Sequence, residues 1–116
     1  MHKVTVVPGD GIGPEVVGAT CAIIKASGAQ VEFEEVMVGV RAEKEFGTPL
    51  PVTVFESIER NRLAMKGPTQ TPFGGNYRIY IERMKGGSEW RADYPSIAIA
   101  LRKELGLYVN VRPVKN

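Results

Sequence analysis

The sequence predicts an α/β fold built from parallel strand–helix–strand units, and three observations carry that prediction. Residues 4–7, VTVV, form a short all-apolar, β-branched run of the kind that suits a strand buried on both faces. The glycine-rich turn PGDGIGPE follows at once, and beyond it apolar residues recur at helical spacing. A second strand-like segment begins at Val31, so strand, helix and strand imply a right-handed parallel crossover. With 116 residues, 43% of them hydrophobic and 24% charged, the chain has the length and apolar content of one folded domain.

The elements follow in order. A helix is expected from Pro14, because proline at a first helical position gives up an N–H that would have no partner there. Val16, Val17, Thr20, Ile23 and Ile24 predict its buried stripe, and Gly28 its end. The second strand is expected over Val31–Val38, with Glu34–Glu35 breaking its alternation as a slip or an edge would. Residues 39–50 read as a loop with a polar helical turn. A helix from about Val52 to Arg60 is expected to bury Val52, Val54, Phe55 and Ile58. Leu63–Gly67 reads as a third strand that delivers PTQTPFGG at its end. Residues 77–95 hold four of the nine aromatic residues (Tyr77, Tyr80, Trp90 and Tyr94) around a Gly86–Gly87 turn. They predict an inserted hairpin or arm projecting from the body, either a surface ornament or a clasp for a second subunit. A helix near Ser96–Leu105 has Ile97, Leu101 and Leu105 on one side, with Gly106 as its stop. Tyr108–Val114 alternates like a final strand.

Composition excludes several classes of function. A net charge of +2, from 15 basic against 13 acidic side chains, is too small to argue for nucleic acid. One cysteine excludes a disulfide framework and a multi-cysteine zinc site. No apolar run approaches the roughly 18–20 residues of a membrane span. His2 leads straight into the first strand, so no signal or transit peptide and a cytoplasmic location are expected.

Three stretches bear chemistry. The first is the glycine turn, whose Gly9, Gly11 and Gly13 fail the G-x-G-x-x-G dinucleotide spacing because Pro14 takes the third position. It is either a tight turn needing positive φ or a place where backbone approaches a ligand. The second is KGPTQTP, residues 66–72, with Lys66 and the hydroxyls of Thr69 and Thr71. It lies beyond the carboxyl end of a strand, where ligands of open α/β sheets bind, though a polar connecting loop has the same composition. The third is Arg102 and Arg112 with Ser96 at a helix start. Two guanidinium forks converging near a serine suit a di- or tricarboxylate, and two ordinary surface arginines are the alternative. Cys21 reads as a small core residue and His2 as frayed surface. Asp10, Glu15 and Asp93 show no paired acid/base or metal-ligand spacing, and no nucleophile with a base is visible.

Taken in order, VTVVPGDGIGPEVV, LAMKGPTQTPFGG and SIAIALRKELGLYVNVRPVK resemble the opening of the β-decarboxylating dehydrogenases, the isocitrate, isopropylmalate, homoisocitrate and tartrate enzymes. KGPTQTP followed by a serine is more similar to the isocitrate branch. The resemblance covers nearly the whole chain apart from residues 77–95. It implies that residues 1–116 form the N-terminal part of an isopropylmalate dehydrogenase-like fold, incomplete by itself. It also implies that Ser96, Arg102 and Arg112 bind the carboxylates of isocitrate or a related carboxylated 2-hydroxy acid. Thr71 would touch substrate or nicotinamide, with Thr69 beside it and Ile12 near the cofactor. NAD or NADP would take a hydride from the alcohol carbon, and Mg²⁺ or Mn²⁺ would polarise the resulting carbonyl before decarboxylation. The resemblance places the metal aspartates, the catalytic tyrosine and lysine, and the adenosine pocket beyond Asn116. The isolated chain is therefore expected to be inactive, and a homo-oligomer is expected to complete the site. Two departures stand out. Ala98 replaces an asparagine usual in the family, and residues 77–95 separate the glycines from Ser96. A non-catalytic tricarboxylate-binding module and a self-associating structural or engineered fragment are the competing expectations.

Overall fold

The computed structural model describes residues 2–70, 78–107, 109 and 111–114. Strand β1 (His2–Val7) pairs in parallel with β2 (Val31–Glu35) on one side and β3 (Ala64–Lys66) on the other, giving the order β2-β1-β3. Helix α1 (Gly13–Ala26) connects β1 to β2, while α2 (Val40–Phe46) and α3 (Val52–Asn61) connect β2 to β3. The hairpin β4 (Ile79–Lys85) and β5 (Ser88–Tyr94) is antiparallel and leads into α4 (Ile97–Glu104).

The chain leaves β1 first in one direction and then, after β2, crosses back over it, so the two connections use opposite faces of the sheet. Val6 lines a cavity of about 270 Å³ on the α1 side together with Val17, Cys21 and Phe33. Thr5 and Val7 face α3, where the Thr5 and Ser57 hydroxyls lie 2.7 Å apart and Val7 packs in one cluster with Val54 and Phe55. Asn61 extends this contact by donating to Thr5 Oγ1 at 2.9 Å and to Glu34 Oε2 at 2.6 Å. Arg60 closes it with an ion pair to Glu34. These bonds satisfy hydroxyls that would otherwise be costly at the buried centre of the sheet.

The apolar core lies on the α3 side. Val7, Val38, Leu50, Val54 and Phe55 meet Ile79, Ile81 and Tyr94 of the hairpin and Ile97, Ala100 and Leu101 of α4. The hairpin therefore does not project as an arm. Its alternation turns Ile79, Ile81 and Arg83 inward, and cross-strand partners Tyr94, Ala92 and Trp90 follow them in register. Tyr80 remains outward, and Tyr77 lies outside the described residues.

Other expectations need correcting. In α1 only Gly13 and Val17 are buried, whereas Val16 is 48% and Ile23 70% exposed. The apolar period was right, but only the Val17 side of the helix meets the sheet. Cys21 is half-buried rather than fully enclosed. Val52 is 37% exposed, and the buried side of α3 is Val54, Phe55 and Ser57. The second strand stops at Glu35, not Val38, and the third is confined to Ala64–Lys66. No strand forms among the described residues 109 and 111–114.

Candidate functional site

In open α/β sheets, ligands bind beyond the carboxyl ends of strands at the point where the strand order reverses. Here that point lies between β1 and β3, so it is lined by the glycine turn after β1 and the loop after β3. The two loops continue the pairing of their strands. Gly67 N–H donates to Val7 O at 2.7 Å, and Asp10 N–H donates to Pro68 O at 2.8 Å. Gly9, at φ +83°, has no room for a side chain, because a Cβ would stand 2.1 Å from Pro68 O. The glycine turn is thus a close backbone junction, which explains its composition without a pyrophosphate.

Asp10 ties three loops together at this edge. Its side chain is buried, with Oδ1 accepting from Val40 N–H at 3.0 Å and Oδ2 from Gln70 N–H at 2.9 Å. Gly39 makes room for it, since a Cβ there would fall 2.3 Å from Asp10 Oδ1. One carboxylate therefore sets the start of α2, the glycine turn and the loop of residues 67–70. Sequence reasoning passed over Asp10 because it sought carboxylate pairs. The available signal was an aspartate inside a glycine turn, where short acceptors commonly hold neighbouring backbone N–H groups.

Lys66 opens the second loop and donates to Gly67 O at 2.9 Å. Burial pushes its ammonium below the usual lysine value. The positive charge of Arg102 adds to that depression, while Asp10 opposes it. The fold thus brings Arg102, on the exposed side of α4, into electrostatic reach of the β3 loop. Ser96 is the N-cap of α4, its Oγ accepting from Ile99 N–H at 3.2 Å, which leaves its O–H available as a donor. Ser96 and Arg102 are separated by about 9 Å along the helix axis, from six residues at 1.5 Å rise. Thr69 is half-buried in the loop beside the Asp10-held Gln70. Ile12 caps α1 at the mouth of the turn and is 68% exposed. Arg112 is exposed on a segment outside regular secondary structure, and Thr71 lies outside the described residues.

Among the described residues no three His, Cys, Asp or Glu side chains stand together as a metal site. No helix among them is long and apolar enough to cross a membrane.

Residues 3–116 match the isocitrate/isopropylmalate dehydrogenase family. The chain is 36% identical over 111 residues to the chloroplastic 3-isopropylmalate dehydrogenase of Solanum tuberosum, covering 96% of this chain and 26% of that protein. It is 38% identical over 116 residues to a probable mitochondrial NAD isocitrate dehydrogenase subunit alpha of Drosophila melanogaster, with 98% and 26% covered. Among solved structures, isocitrate dehydrogenase from Methylococcus capsulatus superposes with a TM-score of 0.74 at 42% identity, covering 93% of this chain and 27% of that one. A β-decarboxylating dehydrogenase from Thermococcus kodakarensis gives 0.69 at 38% identity, with 93% and 28% covered. The chain spans about a quarter of the length of these relatives, as their N-terminal portion. The two plant and animal relatives carry chloroplastic and mitochondrial names, so the cytoplasmic location expected from composition gains no support from them. With its strand order, its paired glycine turn and β3 loop, and these matches, the chain belongs to the isocitrate/isopropylmalate dehydrogenase family.

Proposed function

We propose that this chain supplies the carboxylate-binding and nicotinamide-facing part of an NAD(P)-dependent isocitrate dehydrogenase. The observation that carries this is that Arg102 of α4 lies within Coulombic range of Lys66, which opens the loop at the strand-reversal edge. Two cations at one edge, with a serine O–H on the same helix, form an electropositive lip suited to a substrate with two or three carboxylates. Ser96 donates to one carboxylate, Arg102 takes another in a planar fork, and Arg112 reaches the substrate from the following segment. Ile12 and Thr69 stand at the same edge, an exposed apolar side chain and a hydroxyl that fit the nicotinamide end of a dinucleotide. The nicotinamide, when bound, accepts a hydride from the alcohol carbon. The chain's own part is to hold the carboxylates, and through Asp10 to keep the β3 loop in place while it does so. The described residues provide no ligand set for the divalent cation that the family resemblance implies.

The test is the natural full-length protein assayed with isocitrate, homoisocitrate, tartrate and 3-isopropylmalate, each with NAD⁺ and NADP⁺. Isocitrate turnover is expected to exceed the others. Arg102→Ala is expected to raise the isocitrate KM by about tenfold to a hundredfold, the usual cost of a charge-assisted hydrogen bond. Preference for 3-isopropylmalate, or an Arg102→Ala enzyme with an unchanged KM, would refute the proposal.

A further inference from the structure

The hairpin is joined to α4 by a polar cluster, buried except at Trp90, that carboxylate binding itself does not use. Glu104, in the last turn of α4, is 4% exposed. Its Oε1 accepts from Arg83 Nε at 3.0 Å, and its Oε2 accepts from Trp90 Nε1 at 2.8 Å and from the Tyr94 hydroxyl. Its backbone carbonyl accepts from Arg83 Nη2 at 3.4 Å. Arg83 also reaches Glu59 of α3 at 2.8 Å and lies 4.6 Å from the centroid of the Phe55 ring. One carboxylate therefore engages three side chains of the hairpin, and the arginine among them reaches across to a third element.

Docking alone does not call for this arrangement. Apolar contacts would hold a hairpin to a helix without burying a charge pair, which is costly unless every group is satisfied. A carboxylate in the last turn also opposes the helix dipole. What three directional hydrogen bonds add is orientation, because they weaken steeply with misalignment whereas apolar contact is non-directional. Successive residues turn by about 100° in a helix of 3.6 residues per turn, so Arg102, two positions before Glu104, points about 200° away. Fixing Glu104 against the hairpin turns Arg102 outward, away from the hairpin, and Arg102 stands within Coulombic range of Lys66.

We propose that Glu104 is a positioning residue for the anionic substrate: held by Arg83, Trp90 and Tyr94, it fixes the rotation of α4 and so aims Ser96 and Arg102. This rests on the proposed carboxylate-binding role of α4. The hairpin then serves as a buttress for the substrate helix. Neither Glu104 nor Arg83 touches the substrate.

The test measures isocitrate and NAD⁺ or NADP⁺ dissociation constants by titration calorimetry on the natural full-length protein, with Glu104→Gln and Arg102→Ala. Glutamine keeps the shape but sets an amide NH₂ against at least one of the facing donors. The expected result is about a tenfold weaker isocitrate constant with the nicotinamide constant changed by less than twofold. Isocitrate binding unchanged in Glu104→Gln, or isocitrate and nicotinamide weakened alike, overturns the inference. If Arg102→Ala also leaves isocitrate binding unchanged, the functional proposal falls with it. If Arg102→Ala weakens binding and Glu104→Gln does not, only the positioning role is lost. Should Glu104→Gln fail to fold, Trp90→Phe removes one donor and keeps the Arg83 pair. A selective isocitrate loss of about threefold is then expected, and an unselective or absent loss counts against the proposal.

Discussion

Asp10 and Gln70 lie sixty residues apart in sequence, yet the Gln70 backbone N–H donates to Asp10 Oδ2 at 2.9 Å. The other oxygen accepts from Val40, so a single buried carboxylate registers the loops that follow β1, β2 and β3. Replacing Asp10 with asparagine leaves one acceptor and turns an NH₂ toward a backbone N–H. The expected loss is about 1–3 kcal/mol of stability, from one orphaned buried donor. Denaturant unfolding measures it, and hydrogen exchange of Gln70 and Val40 shows which amide is released.

Gly9 and Gly86 separate conformational strain from steric exclusion. Both have positive φ, +83° and +61°, but a Cβ on Gly86 meets open space while one on Gly9 meets Pro68 O at 2.1 Å. Gly86→Ala is expected to cost about 1 kcal/mol, the ordinary penalty of the left-handed region. Gly9→Ala must also part the β1 and β3 loops, so a loss of more than about 3 kcal/mol is expected. Thermal unfolding of the two variants compares them directly, and equal losses would contradict the close approach.

The parallel unit was legible because its signals are local: an apolar strand, a turn of glycines and a proline at the helix start. The side of α1 that meets the sheet was not. Periodicity marks which residues are apolar but not which of them face the sheet, and Val16 and Ile23 stay 48% and 70% exposed. The hairpin was legible from alternation and Gly86–Gly87, but its docking was not, because the buried Arg83 looks like a surface side chain in sequence. Glu104 did carry a signal. It falls on the face of α4 that buries Ile97 and Leu101, and an acidic residue on an apolar face must find partners. Ser96 and Arg102 were legible as a serine at a helix start and a guanidinium on the same helix, whereas the relation of Arg102 to Lys66 depends on the folded topology.

Acid should loosen α3 from β2. Hydrogen bonds from Asn61 and Arg60 hold the Glu34 carboxyl at about 2, against an ordinary 4.5. A carboxyl whose pKa is lowered on folding contributes stability that is complete above the unfolded value and is lost as pH falls through the folded one. The contribution should therefore fade between pH 4.5 and about 2. Glu34→Gln should be less stable than the native chain at neutral pH and converge with it in that window. Parallel curves from neutral pH to pH 2 would contradict the assignment.

The most direct measurement is hydrogen exchange of the natural full-length protein with and without isocitrate. The account predicts slowed exchange in residues 66–70 at the β3 loop and 96–105 in α4, with the Gly86–Gly87 turn and the end of α1 unchanged. Protection confined to other parts of the chain, or none at the β3 loop and α4, would contradict a carboxylate site at the strand-reversal edge.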